Sequence, residues 1–308
     1  MPYDSIVLVK QVPDPKRVSG QAMTDEGTVN RAALPPIFNP EDLNALEAAL
    51  EVKDEYGGTV TVLTMGMPQA AEVLRDSLYR GADAAALLTD RRMARADTLA
   101  TSYTLSQAVR KVARFDFVFC GRQAVDGDTA QVGPQTAEKL DLPQLTYVEE
   151  IERIYDNSIR VRRAIEDGYE IVETSLPVLL TVSSTANNPR SPSAKRLMQY
   201  KYARTRTEIK MELTREKQQQ GLKWDAEELE AAVEKRSRAL EERGLLIPEW
   251  NIEAIDADPN RCGMAGSPTL VARIDKPQLQ QTEYREIENT DVGIRKLIEE
   301  LLEDHILE

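Results

Sequence analysis

Short apolar runs alternate along the first part of the chain with segments whose apolar residues recur at helical spacing. Strands are predicted at residues 5–9, 59–64, 84–88 and 115–120, with helices at 40–56, 68–80 and 97–112. The run Ser5–Val9 is rich in β-branched residues and has no helical period, which is typical of a strand buried on both faces. This alternation predicts an α/β fold with a doubly wound, mostly parallel sheet of the Rossmann-like type.

The first helix has a strong start signal. In Asn39-Pro40-Glu41-Asp42, Asn39 suits the N-cap, Pro40 suits the first helical position, and the two acids complement the helix dipole. The helix is predicted to end at Gly57-Gly58. The loop before this helix, from Lys10 to Phe38, is longer than a structural connection requires, which indicates that the loop has a function of its own.

From Asp141 onward the pattern changes. A hairpin around Asp156-Asn157 and two further short strands predict an antiparallel edge to the sheet. We predict three divisions: an α/β domain at 1–201, a helical insertion at 202–247 broken near Gly221, and a C-terminal arm at 248–308 that is expected to pack on a partner. The insertion fits either a solvated helical hairpin or a docking platform.

Charge and composition exclude several function classes. The net charge of −13 gives no basis for binding nucleic acid. Cys120 and Cys262 lie far apart, and the one histidine is His305, so we expect no metal site, no iron–sulfur cluster and no nucleophilic triad. With no signal peptide and no apolar run long enough to span a bilayer, we expect a cytoplasmic protein without direct membrane insertion. Any redox chemistry would then require an organic cofactor.

The run from Cys120 to Pro134 has the sequence features of a phosphate site. It follows a predicted strand and enters a helix, and the free N–H groups at such a helix start attract anions. We expect Thr129–Val132 to supply these amides. Asp128 is the predicted N-cap, and the helix is expected to settle only after Pro134. On the pattern alone, a glycine-rich turn capped by Asp128 remains an equal alternative.

This run resembles the signature of electron transfer flavoprotein beta subunits, and of their electron-bifurcating branch in particular, where a glycine stands at the position of Gly127. Four other segments are also similar to that branch: residues 9–14, 39–42, 61–66 and 89–104. The resemblance covers about residues 1–200 and returns at Asp258–Val271, where Gly266-Ser267-Pro268-Thr269 is typical of the family.

The resemblance implies a beta subunit that holds AMP in ordinary members of the family and a complete FAD in bifurcating ones. The positions that match nucleotide contacts are Leu8, Asn39, Pro40, Glu41, Asp42, Met65, Gly66, Gly121, Arg122, Gln123, Ala124, Val125, Asp126, Gly127, Asp128, Thr129, Ala130, Gln131 and Val132. Thr98 and Thr101, three apart on one helix face, match positions near the flavin ring. No residue is assigned a catalytic proton-transfer role.

The implied partners are an alpha subunit carrying a second FAD, NADH as electron donor, a ferredoxin or flavodoxin-type carrier, and a dehydrogenase or quinone reductase as acceptor. Two departures from the family bear on these partners. In ordinary members of the family, the docking loop has the sequence N-E-P-R-Y-P-S-L. In this chain residues 187–194 are N-N-P-R-S-P-S-A and lack the apolar side chains that bind an acyl-CoA dehydrogenase. Ala94-Arg95 replaces the Ala-Gly pair of the bifurcating branch.

Three hypotheses follow. The first is a bifurcating beta subunit whose FAD oxidises NADH, which Gly127 and residues 89–104 favour. The second is an ordinary beta subunit with a structural AMP. The third is a stand-alone adenine-nucleotide-binding regulatory module, which would not co-purify with a second flavoprotein chain.

Overall fold

The apolar runs form the middle of one sheet in the computed structural model, which describes residues 2–14, 35–112, 114–269 and 287–303. The chain divides into two units, Met1–Leu270 and Val271–Glu308. The limit predicted at 248 differs from this boundary, because Glu249–Trp250 adds a strand to the sheet of the first unit. As functional divisions, the three predicted ranges remain a prediction.

The main sheet has nine strands. Across the sheet they are β11 (Glu249–Trp250), β5 (Ala84–Leu88), β4 (Val60–Met65), β1 (Ser5–Leu8), β6 (Phe117–Gly121), β10 (Val178–Val182), β7 (Gln144–Tyr155), β8 (Ser158–Ile165) and β9 (Gly168–Ser175). The pairings from β11 to β7 are parallel, and β8 and β9 continue the sheet as antiparallel strands. The predicted α/β fold with an antiparallel edge is therefore confirmed.

Eight helices lie within the described residues. They are α1 (Pro40–Tyr56), α2 (Ala71–Arg80), α3 (Thr98–Lys111), α4 (Val132–Leu140), α5 (Ala194–Tyr200), α6 (Arg206–Gln219), α7 (Ala226–Glu241) and α8 (Asp291–Glu303). Asp97 is the N-cap residue of α3, and its side-chain Oδ1 accepts a hydrogen bond from the Ala100 amide at 3.0 Å. This cap explains why α3 begins at Thr98.

The two faces of the sheet pack into separate apolar clusters. Val7 and Phe119 belong to the cluster that contains Leu46 of α1, whereas Ile6 belongs to the cluster that contains Val109 of α3. Successive residues of a strand point to opposite faces, so a continuous apolar run such as β1 requires helices on both sides. The sheet is thus doubly wound.

The predicted long loop before α1 contains a short ribbon. Strands β2 (Gln11–Pro13) and β3 (Pro36–Phe38) pair in antiparallel register, which brings Lys10 close to the start of α1. The centre of that loop, residues 15–34, lies outside the described residues, as do Val271 and His305.

Helices α6 and α7 form a hairpin that is anchored to the first unit. Ile209 and Val233 are fully buried, and Arg75 on α2 donates to both carboxylate oxygens of Glu208 at 2.8 Å. Thr205 and Glu208 form a capping box that starts α6. The hairpin therefore packs onto the α/β unit through a mixed apolar and ionic contact.

The second unit contains helix α8. Val292, Ile294, Ile298 and Leu302 are exposed, and the last three are spaced by four residues on one face. Within the ranges that the structure describes, no helix is long and apolar enough to cross a membrane.

Candidate functional site

The candidate site lies where the strand order reverses. The chain runs from β1 outward to β4 and β5, then returns to place β6 on the other side of β1. In open parallel sheets, ligands bind beyond the carboxyl ends of the strands at such a point. Leu8, Met65 and Gly121, which are predicted site residues, are the last residues of β1, β4 and β6.

Side chains at the start of α1 hold the loop that follows β6. The amide of Gly121 donates to Asp42 Oδ1 at 3.0 Å, that of Gln123 to Glu41 Oε2 at 2.9 Å, and that of Val125 to Asn39 Oδ1 at 3.1 Å. Asn39 Nδ2 also donates to the Gln123 carbonyl at 2.9 Å. The loop is thus fixed at every second residue.

This arrangement corrects the capping prediction for Asn39. Asn39 does occupy the N-cap position and Pro40 the first turn, but the Asn39 side chain accepts no capping hydrogen bond from a backbone amide of α1. Its amide group is instead bonded to the loop after β6, 84 and 86 residues further along the chain. Tertiary contacts have replaced the local cap.

Asp42 joins two strand ends. Its Oδ1 accepts the Gly121 amide, and its Oδ2 accepts the Lys10 amide at 2.8 Å. Burial raises the pKa of Asp42 to about 7, although the hydrogen bonds from Asn39, Gly121 and Lys10 act in the opposite direction. The carboxyl group therefore titrates near neutral pH while fixing the ends of β1 and β6.

The amides of Thr129, Ala130, Gln131 and Val132 have no hydrogen-bond partner among the described residues. The amides of Gly127 and Asp128, by contrast, both donate to the Ala124 carbonyl. The four free amides are those predicted to bind phosphate. Unpaired N–H groups at a helix start are the feature that an anion site requires.

Two predictions about the start of α4 were wrong. Asp128 is not the N-cap: its φ is 52°, and the residue before the helix is Gln131. The helix also begins at Val132, so Pro134 lies within its first turn, where a missing N–H leaves no bond unmade. Left-handed backbone at both Asp128 and Ala130 turns the chain before the helix starts.

The three glycines of the run differ in their surroundings. A Cβ atom at Gly121 would lie 2.5 Å from Asp42 Oδ1, and one at Gly133 would lie 2.8 Å from Cys120 Sγ. No heavy atom lies within 4 Å of the corresponding position at Gly127. Packing of the protein therefore requires the first two glycines, whereas Gly127 faces open space.

Arg122 and Lys10 place positive charge beside the loop. An Arg122 Nη lies 3.0 Å from Glu41 Oε1, and its guanidinium lies 5.6 Å from the centroid of the Tyr147 ring. The buried Nε of Arg122 has no hydrogen-bond partner within the described part of the chain. Lys10 Nζ pairs with Asp126 at 2.6 Å. Asp126 is thus engaged in an ion pair with a residue just beyond the end of β1.

The first turn of helix α3 contacts the loop at residues 122–131, between β6 and α4, which we call the phosphate-type loop. Thr98 Oγ1 lies 2.9 Å from Gln131 Oε1, to which it donates a hydrogen bond, and Thr101 follows one turn later. Gly66 lies on the neighbouring strand end, where its amide donates to the Leu88 carbonyl at 3.0 Å. The structure thus brings residues of β1, β4, β6, α1, α3 and α4 to one edge of the sheet.

Comparison with known proteins decides the family. The family model of the electron transfer flavoprotein domain matches residues 26–206. An electron transfer flavoprotein subunit beta from Thermoanaerobacterium thermosaccharolyticum is 41% identical over 302 residues, covering 98% of this chain and 99% of the relative. The chain belongs to the electron transfer flavoprotein family.

Two further relatives with other names also match most of the chain. The caffeyl-CoA reductase-Etf complex subunit CarD of Acetobacterium woodii is 43% identical over 273 residues, which cover 88% of this chain and 87% of CarD. Protein FixA of Sinorhizobium fredii is 38% identical over 303 residues, which cover 96% of this chain and 91% of FixA.

Three residues at the flavoprotein site were not among the predicted site residues. Lys10 follows β1 directly within the family-like segment 9–14, and it contacts both Asp42 and Asp126. Ser267 and Thr269 belong to the family-like run at 266–269, and both bond to Asp97 at the start of α3. Sequence similarity located these segments, but only the structure shows which residues they contact.

Proposed function

We propose that this chain is the beta subunit of a cytoplasmic, electron-bifurcating electron transfer flavoprotein. Its resident FAD would accept a hydride from NADH and release the two electrons singly, one to a ferredoxin or flavodoxin-type carrier and one to the FAD of an alpha subunit. The observation that carries the proposal is the row of four amides at 129–132, which have no hydrogen-bond partner within the described ranges and lie at the reversal point of the sheet.

Three features support an FAD molecule in this site. The amides of 129–132 suit its pyrophosphate, and the buried Nε of Arg122 is a donor without a partner in the described part of the chain. Open space at Gly127 leaves room beside these donors. Thr98 and Thr101 would reach the flavin ring, because Thr98 already touches Gln131 of the loop.

The protein's own part is binding and orientation. Asn39, Glu41 and Asp42 hold the loop in place before any ligand arrives, so little conformational freedom is lost on binding. Arg122 keeps its orientation through Glu41 and the Tyr147 ring. A planar guanidinium suits both phosphate and an electron-rich ring.

Pairing with an alpha subunit is a property of beta subunits in this family. In this chain, α8 exposes Val292, Ile294, Ile298 and Leu302, an apolar set that a partner would cover. The loop at 187–194 lacks the apolar anchors of the ordinary docking loop, and Arg190 in it is paired with Glu47 at 2.9 Å. We therefore propose a dehydrogenase or quinone reductase of another type as acceptor.

The test is a cofactor count. The heterodimer, produced by co-expression with its alpha subunit, is denatured and the FAD and AMP released per heterodimer are measured. Two FAD and no AMP are expected, and anaerobic titration with NADH should bleach the flavin of this subunit. One FAD and one AMP, without reduction by NADH, would leave an ordinary beta subunit with a structural AMP.

Variants connect that result to the site. Thr98→Ala and Arg122→Ala should each weaken or abolish reduction by NADH, whereas Thr214→Ala on α6 should not, since the Thr214 hydroxyl only bonds to the Lys210 carbonyl of its own helix. A stable monomer that binds nucleotide fully without an alpha subunit would support the stand-alone regulatory module instead.

A further inference from the structure

Arg95 lies in a backbone conformation that disfavours it. Its φ is 59°, in the left-handed region where glycine has no steric penalty and a long side chain does. The neighbours on both sides are held in place: the Ala94 carbonyl accepts the Met264 amide at 3.1 Å, and the Asp97 amide donates to Ser267 Oγ at 2.8 Å. The surrounding contacts thus impose this conformation on residue 95.

The guanidinium of Arg95 has no carboxylate partner among the described residues, and the same is true of the exposed Arg91 in the same loop. Lys10, Arg92 and Arg122 near the same sheet edge are each paired with a carboxylate, at Asp126, Asp90 and Glu41 respectively. Arg95 is exposed and makes no ion pair with any described residue. Of these two arginines only Arg95 has a positive φ, and a strained residue whose guanidinium has no described partner is more readily explained by a ligand than by stability.

The position of Arg95 points to a ligand that exchanges with solvent. It lies in the loop after β5, three residues before Thr98, whose hydroxyl bonds to Gln131. The unpaired amides at 129–132 already suit the phosphates of a resident cofactor. The exposed guanidinium, with its planar fork of donors, is suited to a phosphate of a second, exchangeable molecule.

We propose that Arg95 binds a phosphate group of the nicotinamide dinucleotide that donates the hydride. This inference rests on the proposed function, because that function supplies the exchangeable dinucleotide. The phosphate is either the pyrophosphate, which NADH and NADPH share, or the 2′-phosphate, which only NADPH carries.

Two substitutions separate the side chain from the backbone. Arg95→Ala removes the guanidinium and keeps the strained conformation, whereas Arg95→Gly removes both. Arg91→Ala is the matched control, since Arg91 is an exposed arginine of the same loop that forms no ion pair with a described residue. Arg91 is in a short 3₁₀ turn and does not have the positive φ of Arg95.

The measurement is equilibrium binding of NAD⁺ and NADP⁺ to the oxidised heterodimer, together with KM and kcat for NADH and NADPH. Arg95→Ala and Arg95→Gly should each raise Kd about tenfold or more, as expected for a charge-assisted contact, and raise KM rather than lower kcat. Equal losses for both dinucleotides indicate the pyrophosphate, and a loss for NADP⁺ alone indicates the 2′-phosphate. Only Arg95→Gly should also raise the unfolding midpoint, by about 2–4 °C.

Several results would overturn the role of Arg95. These are a change in Kd below about twofold for both dinucleotides, an equal effect of Arg91→Ala, or weakened heterodimer assembly with unchanged dinucleotide affinity. Wild-type protein that binds neither dinucleotide would overturn the proposed NADH oxidation as well. Wild-type binding that Arg95→Ala leaves unchanged would overturn only the role of Arg95.

Discussion

Gly121→Ala tests whether the contact between α1 and the loop after β6 is as close as the structure indicates. The new methyl group would lie 2.5 Å from Asp42 Oδ1, 2.7 Å from the Glu41 carbonyl carbon and 2.8 Å from the Asp42 nitrogen. Two of these atoms are backbone, and the third belongs to a carboxyl group held by two amides. None of them can move without displacing the first turn of α1.

The expected cost follows from two contributions. Overpacking at a buried contact costs about 1–3 kcal/mol, and breaking the hydrogen bond from Gly121 to buried Asp42 costs about 1–3 kcal/mol more. A loss of about 2–6 kcal/mol is a large part of the about 5–15 kcal/mol that stabilises a typical domain. The thermal midpoint should fall by more than about 4 °C.

The assay compares thermal unfolding and flavin retention of the heterodimer after gel filtration. Gly127→Ala is the control for thermal unfolding, since no heavy atom lies within 4 Å of its Cβ position, and its effect on stability should stay within about 0.5 kcal/mol. A Gly121→Ala protein with wild-type midpoint and flavin content would refute the reasoning. So would a Gly127→Ala protein that is equally destabilised.

Three further predictions concern Asp42, Gly127 and Arg75. Because burial raises the pKa of Asp42 to about 7, its stabilising contribution is fully present below about pH 4 and is lost as the pH rises through about 7. Between pH 5 and 8 the free energy of unfolding should therefore fall by about 2–3 kcal/mol more in the wild type than in Asp42→Asn, and parallel curves would contradict this. Gly127→Asp should weaken FAD binding about fivefold more than AMP binding in titrations of both ligands, through like-charge repulsion at the pyrophosphate, and equal losses would remove Gly127 from the argument. Arg75→Ala should cost about 1–3 kcal/mol and speed proteolysis within α6 and α7 without loss of flavin, whereas Arg236→Ala, which removes half-exposed ion pairs between α6 and α7, should cost less than about 1 kcal/mol.

Local sequence patterns predicted the elements of the site better than its contacts. The β-branched run of β1 and the start of α3 near Asp97 depend on neighbouring residues, and both were predicted correctly. The hydrogen bonds from Asn39, Glu41 and Asp42 to the loop after β6 join residues about 80 positions apart. Hydrophobic periodicity cannot predict contacts over such a sequence distance. Local preference suggested helix caps for these residues, and tertiary pairing overrode it.

In the phosphate-type loop, too, the sequence predicted some features and not others. The sequence correctly placed the loop after a strand, and it singled out the amides of 129–132 as the unpaired ones. The start of α4 was not predicted, because the left-handed residues Asp128 and Ala130 are not glycines, and their conformation is set by the turn that they complete. Resemblance to the family similarly located the run at 266–269 but not its bonds to Asp97.

The two ends of the α6–α7 hairpin are adjacent in space. The Arg204 amide donates to the Leu245 carbonyl at 3.0 Å, and the Ile247 amide donates to the Arg204 carbonyl at 2.9 Å. A chain that leaves and re-enters a fold at neighbouring residues can gain or lose the intervening segment in a single genetic event, with little change to the strands on either side. The α6–α7 hairpin could therefore be replaced by another segment, in evolution or by protein engineering, which would change one surface of the protein and keep the candidate nucleotide site.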